Sequence, residues 1–494
     1  MSGCFAERCG VHDAVRQQAW EQARAVLESG ELELVRFAWC DLHGVTRGKT
    51  LVAGAAAQAL LDGVGLVSTL LLKDTSDRTA FKVFEPGGAA GLPGFAHASN
   101  LMLLADPASL RMLPWADKTG WVLGQTWLQS GEPVALDSRR VLQYALARLA
   151  SAGYGLRCGL EVEFHIYRIR DAAPQLDPMR ADWPGLPPEV EMIHPGYSLL
   201  NEGWFDLSEE PLRIVQRTAQ QLGLPLLSLE IELGPSQVEA VFAATDALAA
   251  ADNMVLFRSA VRQALRRAGY HASFVCRPPF PNIMSSGWHL HQSLVELGTG
   301  RNAFAREAPA DDSTPADAQH TLSAVGEHYL AGLLAHARGM AVFCTPTVNG
   351  YGRFRPHALA PQAALWGRDN RGAMLRVVGQ PSDAATRIEN RLGEPAANPY
   401  LYLASQIHAG LDGLATQRRA PPATDAPYAA PGDRQLPTSL GEALDALQSD
   451  TALCEAFGRP FVDYLQRIKR AELARFEAAT DPDDFQRREY FSRL

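Results

Sequence analysis

The amino-acid sequence predicts an α+β fold in two parts, and three observations carry that expectation. Up to about residue 130, short apolar runs alternate with Gly- and Pro-rich turns, which reads as a small, mostly β domain with a leading helix. From there to residue 494, longer helical periods alternate with strands. Four strands of this second part carry ionisable side chains at two-residue spacing, so that each presents one charged face.

Size and composition narrow the function. At 494 residues, 47% of them hydrophobic, the chain can bury a large core and exceeds one ordinary domain. A net charge of -9 and a pI near 5.8 argue against a nucleic-acid partner. No apolar run reaches the roughly 18 residues that span a bilayer, and the first residues lack a basic stretch leading into an apolar one, so neither a membrane nor export is expected. The seven cysteines are scattered and none forms a CxxC, which points to reduced thiols in a cytoplasmic protein.

The elements follow in order. Residues 12–29 read as a helix, and "ELELVRFAWCDLHGVTRGKTLV" (31–52) as two strands joined at His43-Gly44. Further strands and turns run through "NLMLLADP", "LRMLPWA" and "GWVLGQTW" to about residue 128. A helix is expected at 137–154 and a long one at 246–270, where apolar positions recur every three to four residues and Gly269 stands near the end. Polar, Pro- and Ala-rich stretches at 298–318 and 418–438 read as loops, and the tail from 439 as helical.

The charged strands are the most informative pieces. In "GLEVEFHIYR" (159–168), Leu160, Val162, Phe164 and Ile166 alternate with Glu161, Glu163, His165 and Tyr167. Glu161 and Glu163 then lie about 7 Å apart on one face, where they repel. Glu230 and Glu232 repeat the pattern in "LSLEIELGPSQVEAVF", with Glu239 beyond a Gly-Pro turn. His289 and His291 share a face in "SGWHLHQSL", as do Arg387, Glu389 and Arg391 in "TRIENRLG". A single strand of this kind is ordinarily a solvated face. Four together imply a concave surface that gathers divalent cations. Carboxylates with one or two imidazoles and no cysteine suit Mg²⁺ or Mn²⁺. Hard cations beside arginines point to phosphoryl transfer from a nucleotide.

These residues resemble the glutamine synthetase family. The pieces that match in order and spacing are "EVEF", "EIELGPSQVE", "SGWHLHQSL", "TVNGYGRFRP", "WGRDNRGAMLR" and "RIENRLGEPAANPYLYLASQIHAGLDG". The resemblance implies an N-terminal β-grasp domain over residues 1–130 and a catalytic domain with a curved antiparallel sheet over 131–494. It also implies a homo-oligomer of hexameric rings, usually two stacked, with active sites between subunits. By position it implies that Glu163, Glu232 and Glu239 hold one metal, and Glu161, His289 and Glu389 another, with two or three ions per site. His291 and Ser293 correspond to nucleotide contacts. Arg371, Arg376 and Arg387 correspond to groups on the ATP phosphates and the transferred phosphoryl group. Arg353 and Arg391 correspond to the grip on the carboxylates of glutamate, a task for which the planar guanidinium fork is suited. ATP, glutamate and a small amine are the implied substrates, with Arg353 and Arg371 counted as catalytic and Glu163 beside the substrate.

Three departures concern the nitrogen donor. The family's proton-accepting flap glutamate is here Leu359, its Asp-Gly-Ser-Ser motif is absent, with Asp74 and Asp77 the acids in that region, and Met284 and Ser285 stand where Asn-Gly holds glutamate. An apolar residue neither attracts ammonium nor accepts its proton. The expectation is a γ-glutamyl-amine ligase for an aromatic amine such as aniline, or an alkyl amine. The alternatives are glutamine synthetase proper and a non-catalytic structural member of the fold.

Overall fold

The computed structural model of the protein describes residues 3–89, 91–307, 321–355, 360–429 and 432–494. The first sheet comprises β1 (Leu34–Cys40), β2 (Thr46–Val52), β3 (Val64–Val67), β4 (Asn100–Ala105), β5 (Arg111–Met112) and β6 (Thr119–Trp127), in the order β2-β1-β6-β4-β3 with β5 against β6. The turn between β1 and β2 forms because the Asp41 carboxylate accepts from the His43 and Val45 N–H groups at 3.0 and 2.9 Å, while Gly44 takes φ +75. β1 then pairs in parallel with β6, and the helix Ala53–Asp62 follows the hairpin, which is the expected β-grasp arrangement. The leading helix Ala14–Glu28 starts where the Asp13 side chain accepts from the Arg16 N–H.

Among the described residues the second sheet has nine strands: β7 (Tyr154–Asp171), β8 (Glu189–Met192), β9 (Leu226–Ile231), β10 (Gln237–Asp246), β11 (Tyr270–Ser273), β12 (Trp288–Glu296), β13 (Trp366–Arg368), β14 (Leu375–Val378) and β15 (Arg387–Gly393). Its order is β13-β14-β15-β12-β7-β10-β9, with β8 and β11 also on β7; β13 and β14 run parallel and the other pairs named here antiparallel. All four charged strands expected from the sequence lie in this sheet.

Alternation along β7 decides which way the sheet faces. Leu160, Val162, Phe164 and Ile166 are buried, and Phe164 packs against Phe274 at 4.8 Å and Phe257 at 6.0 Å between ring centroids. Phe257 belongs to the helix Ala247–Arg267, which ends with Gly269 at φ +84 as the sequence suggests. The apolar face is therefore closed by helices, and the carboxylates are left to the other face. Among the described residues no helix is long and apolar enough to cross a membrane. All seven cysteines are free, and Cys40, Cys158, Cys276, Cys344 and Cys454 are buried.

Candidate active site

Strand register builds the site. Directly opposed residues of paired strands point to the same face. β7 sets Glu161 opposite His289 of β12 and Glu163 opposite Glu239 of β10. β15 sets Glu389 opposite His291 of β12 and Arg376 of β14. The result is a cup centred on His289. Its Nδ1 lies 3.5 Å from Glu161, 3.8 Å from Glu389 and 4.0 Å from Glu239, and its Nε2 lies 3.8 Å from Glu163. His289 and Glu389 are buried, as are Glu163 and Glu239.

Such crowding has electrostatic consequences. Burial, reinforced by the Glu232 charge, pushes the Glu163 carboxyl well above the usual range. Burial does the same to Glu239, with Glu163 and Glu161 adding repulsion, and it raises Glu232, with Glu230 adding. At Glu161 burial pushes the carboxyl up, but His289 and His291 outweigh it and hold it well below the usual range. Glu389 is likewise depressed: burial opposes ionisation, while His289 and Arg391 favour it more strongly. His289 is lowered to about 4 by burial, with Arg391 adding, and is a neutral imidazole at pH 7. Neutral imidazole and carboxylates that resist ionising together are the donor set a hard dication satisfies, and on that chemistry the residues fit Mg²⁺ or Mn²⁺.

The side chains that converge mix the two expected ligand sets. Ligand atoms of Glu161, Glu239 and His289 lie within 4.8 Å of one another, as do those of Glu161, His291 and Glu389. Neither expected trio, Glu163 with Glu232 and Glu239 or Glu161 with His289 and Glu389, closes to that spacing among the described residues. His291 Nε2 is 2.9 Å from Glu161, but its Nδ1 accepts from Arg387 Nε at 3.1 Å. In a neutral imidazole this places the proton on Nε2, which leaves no lone pair there for a metal.

A residue not picked out from the sequence completes the cup. Gln237 donates from Nε2 to Glu163 Oε2 at 2.8 Å, and the Gly287 N–H donates to the same oxygen at 3.0 Å. Glu163 Oε1 is thereby left facing His289. Gln237 sits in the Gly-Pro turn entering β10, and its amide looks like an ordinary polar residue until the register is known. Gly287 is required for a different reason. A Cβ there would lie 2.5 Å from Arg353 Nη2 and 3.0 Å from His289 Nε2.

The arginines occupy the rim and the floor. Arg353 is buried and donates from Nη1 to the Gly393 carbonyl at 2.8 Å. Arg391 donates to Glu389, and its buried Nε has no hydrogen-bond partner among the described residues. Arg376 bridges Glu389 at 2.9 Å and Asp369, and Arg371 is exposed near Asp369. A cleft of about 960 Å³ opens from Glu161 past His291, Ser293 and Arg387. Leu359 lies outside the described residues. Asp74 is buried, caps the turn to Ser76 and Arg78, and receives Arg475 Nε at 3.0 Å, while Asp77 pairs with Arg47 at 2.8 Å. Neither carboxylate is without a partner in its own chain.

Comparison with known proteins agrees with this geometry. Residues 135–488 match the model of the glutamine synthetase catalytic domain. The chain is 38% identical to γ-glutamylanilide synthase of an Acinetobacter species, over 97% of each chain. It is 30% identical to γ-glutamylethanolamide synthetase of Streptomyces coelicolor over the whole of both. A solved structure titled apo GmaS without ligand superposes with a TM-score of 0.76 at 25% identity, covering 94% of this chain and 98% of that one. The chain belongs to the glutamine synthetase family.

Proposed function

We propose that this enzyme couples ATP cleavage to the joining of glutamate, through its γ-carboxylate, to an amine other than ammonia. One observation carries the reading: the acidic cup around His289 stands at the end of a cleft large enough for a nucleotide, with Glu161 and His291 at the junction. The 38% identity to γ-glutamylanilide synthase supports the amine.

In this reading Arg371, Arg376 and Arg387 hold the ATP phosphates, with His291 and Ser293 beside the nucleotide. Arg353 and Arg391 hold the glutamate carboxylates, and the unpartnered Arg391 Nε supports that role. Glu163, Glu232 and Glu239 would hold one ion, and Glu161, His289 and Glu389 another. Two or three Mg²⁺ or Mn²⁺ ions would neutralise the triphosphate and favour charge on the transferring phosphoryl oxygens. The arginines align the γ-phosphoryl with the γ-carboxylate oxygen, so that a P–O bond forms to glutamate as the bond to ADP breaks. The amine nitrogen then attacks the acyl carbon, expels inorganic phosphate and loses a proton. Aniline is neutral at pH 7 and needs no deprotonation before attack. The commitment of Asp74 to Arg475 supports an amine site without an acid from that loop.

We place the domain boundary at residues 130/131, and propose a cytoplasmic setting, supported by the free cysteines, and stacked hexameric rings. The test is turnover with ammonia, putrescine, isopropylamine and aniline side by side, read as phosphate release and amide formation. Aniline or isopropylamine is expected to exceed ammonia in kcat/KM. Ammonia as the best donor would make the protein a glutamine synthetase proper, and absence of ATP turnover with every amine would make it a structural member.

A further inference from the structure

Far from the cup, at the start of the chain, a second group of metal-binding side chains converges. The segment "GCFAERCGVH" (3–12) forms the short helix Phe5–Arg8, then reverses at Gly10, φ +69. The reversal is held by Gly10 N–H to the Glu7 carbonyl at 2.9 Å and Val11 N–H to the Ala6 carbonyl at 3.1 Å. It returns His12 to the neighbourhood of Cys4. Cys4 Sγ, a carboxylate oxygen of Glu7 and a ring nitrogen of His12 lie within 4.8 Å of one another.

Two further observations separate this group from chance proximity. His12 Nδ1 is shut off from solvent and has no hydrogen-bond partner among the described residues, so a polar atom is buried with its lone pair or proton unused. The Glu7 carboxylate folds back over Gly3, where a Cβ would come within 1.6 Å of Oε2, yet no hydrogen bond or ion pair among the described residues holds it there. The segment is anchored independently, because Phe5 and Ala6 pack with Leu104 and Trp127 in a small apolar cluster of their own. Cys4 packs against this cluster and His12 is half-buried, while the Glu7 carboxylate is exposed beside them.

We propose that Cys4, Glu7 and His12 form a zinc site, distinct from the dication centre of the cup. Thiolate, imidazole and carboxylate are the ligand types zinc takes at roughly 2.0–2.3 Å in tetrahedral geometry, with water filling a fourth position. The thiolate selects against Mg²⁺, so the two centres on this chain prefer different metals. The ion ties the extended entry at Cys4 to the chain beyond the Gly10 reversal, closing residues 4–12 into a loop that Phe5 and Ala6 seat against Leu104 and Trp127. Cys9 is outside the group and serves as the internal control.

Cobalt substitution tests this in the full-length protein. The cup contains no cysteine, so a near-ultraviolet thiolate-to-cobalt charge-transfer band reports on the N-terminal site alone. Metal-free protein titrated with Co²⁺ is expected to develop that band, saturating at an amplitude that corresponds to about one thiolate-bound Co²⁺ per chain whatever the further Co²⁺ taken by the cup, and zinc is expected to abolish it by displacement. Cys4→Ser, Glu7→Gln and His12→Ala are expected to lose or weaken the band and bind one zinc fewer, while Cys9→Ser keeps both. Absence of the band in the unmodified protein, its survival in Cys4→Ser, or its loss in Cys9→Ser alone would overturn the assignment.

Discussion

The Gln237 side chain donates to Glu163 Oε2 at 2.8 Å and so decides which oxygen of Glu163 faces His289. The same amide reaches Ser286 Oγ at 3.1 Å, and its oxygen accepts from the Gly234 N–H at 2.9 Å. Groups that orient a metal-binding carboxylate typically contribute 10–100-fold to affinity or activity. Gln237→Leu is therefore expected to raise the dication concentration for half-maximal activity by roughly tenfold or more, read from Mg²⁺ and Mn²⁺ titrations of initial rate. An unchanged metal dependence would remove Gln237 from the site.

Gly287→Ala inserts a methyl group 2.5 Å from Arg353 Nη2. Arg353 is buried and already bonded to the Gly393 carbonyl, so its fork moves away from the position proposed for glutamate. Because a displacement near 1 Å can cost about a hundredfold in rate, kcat/KM for glutamate is expected to fall by roughly that factor. Circular dichroism should show the fold intact.

Asp74→Asn separates a structural acid from one that binds amine. Asp74 is buried and receives Arg475, which also pairs with Glu489. Loss of that charge is expected to lower unfolding free energy by about 1–3 kcal/mol, measured by urea denaturation, with the KM for the amine unchanged. A rise in amine KM with stability intact would return Asp74 to the substrate site.

His336, at the junction of the helices Ala324–Ala335 and Ala337–Cys344, sits between Asp450 at 2.8 Å and Asp412 at 3.0 Å. Burial opposes its protonation, but the two carboxylates prevail and raise its pKa. A His raised on folding stabilises fully below its unfolded value of about 6.5, and that contribution disappears as pH rises through the folded value. His43, His271 and His289, each lowered to about 4 by burial, act with the opposite sign. The difference between wild type and His336→Gln isolates the effect. The wild-type advantage should shrink from pH 6.5 upward, by at most about 1.4 kcal/mol per pH unit. An advantage independent of pH would contradict the pairing.

Much of the site could be read from alternation alone. Leu160, Val162, Phe164 and Ile166 mark one face of β7 as core, so Glu161 and Glu163 had to share the other, and the Gly-Pro turn before Glu239 located the neighbouring strand. Register across strands far apart in the chain was not legible. It makes Gln237 a partner of Glu163, sets β1 parallel to β6, and brings His336 between two acids more than 70 residues away. Nor did cysteine spacing announce the N-terminal group, because its reversal at Gly10 depends on backbone hydrogen bonds and on Phe5 packing against Trp127.

The central claim is that the carboxylates gathered around His289 bind dications against a nucleotide in the adjoining cleft. Calorimetric titration of a non-hydrolysable ATP analogue, with and without Mn²⁺, addresses it most directly. The account predicts tight uptake only with the ion present, weakened at least about a hundredfold in His289→Ala. Uptake that is indifferent to the ion, or unaltered by His289→Ala, would contradict it.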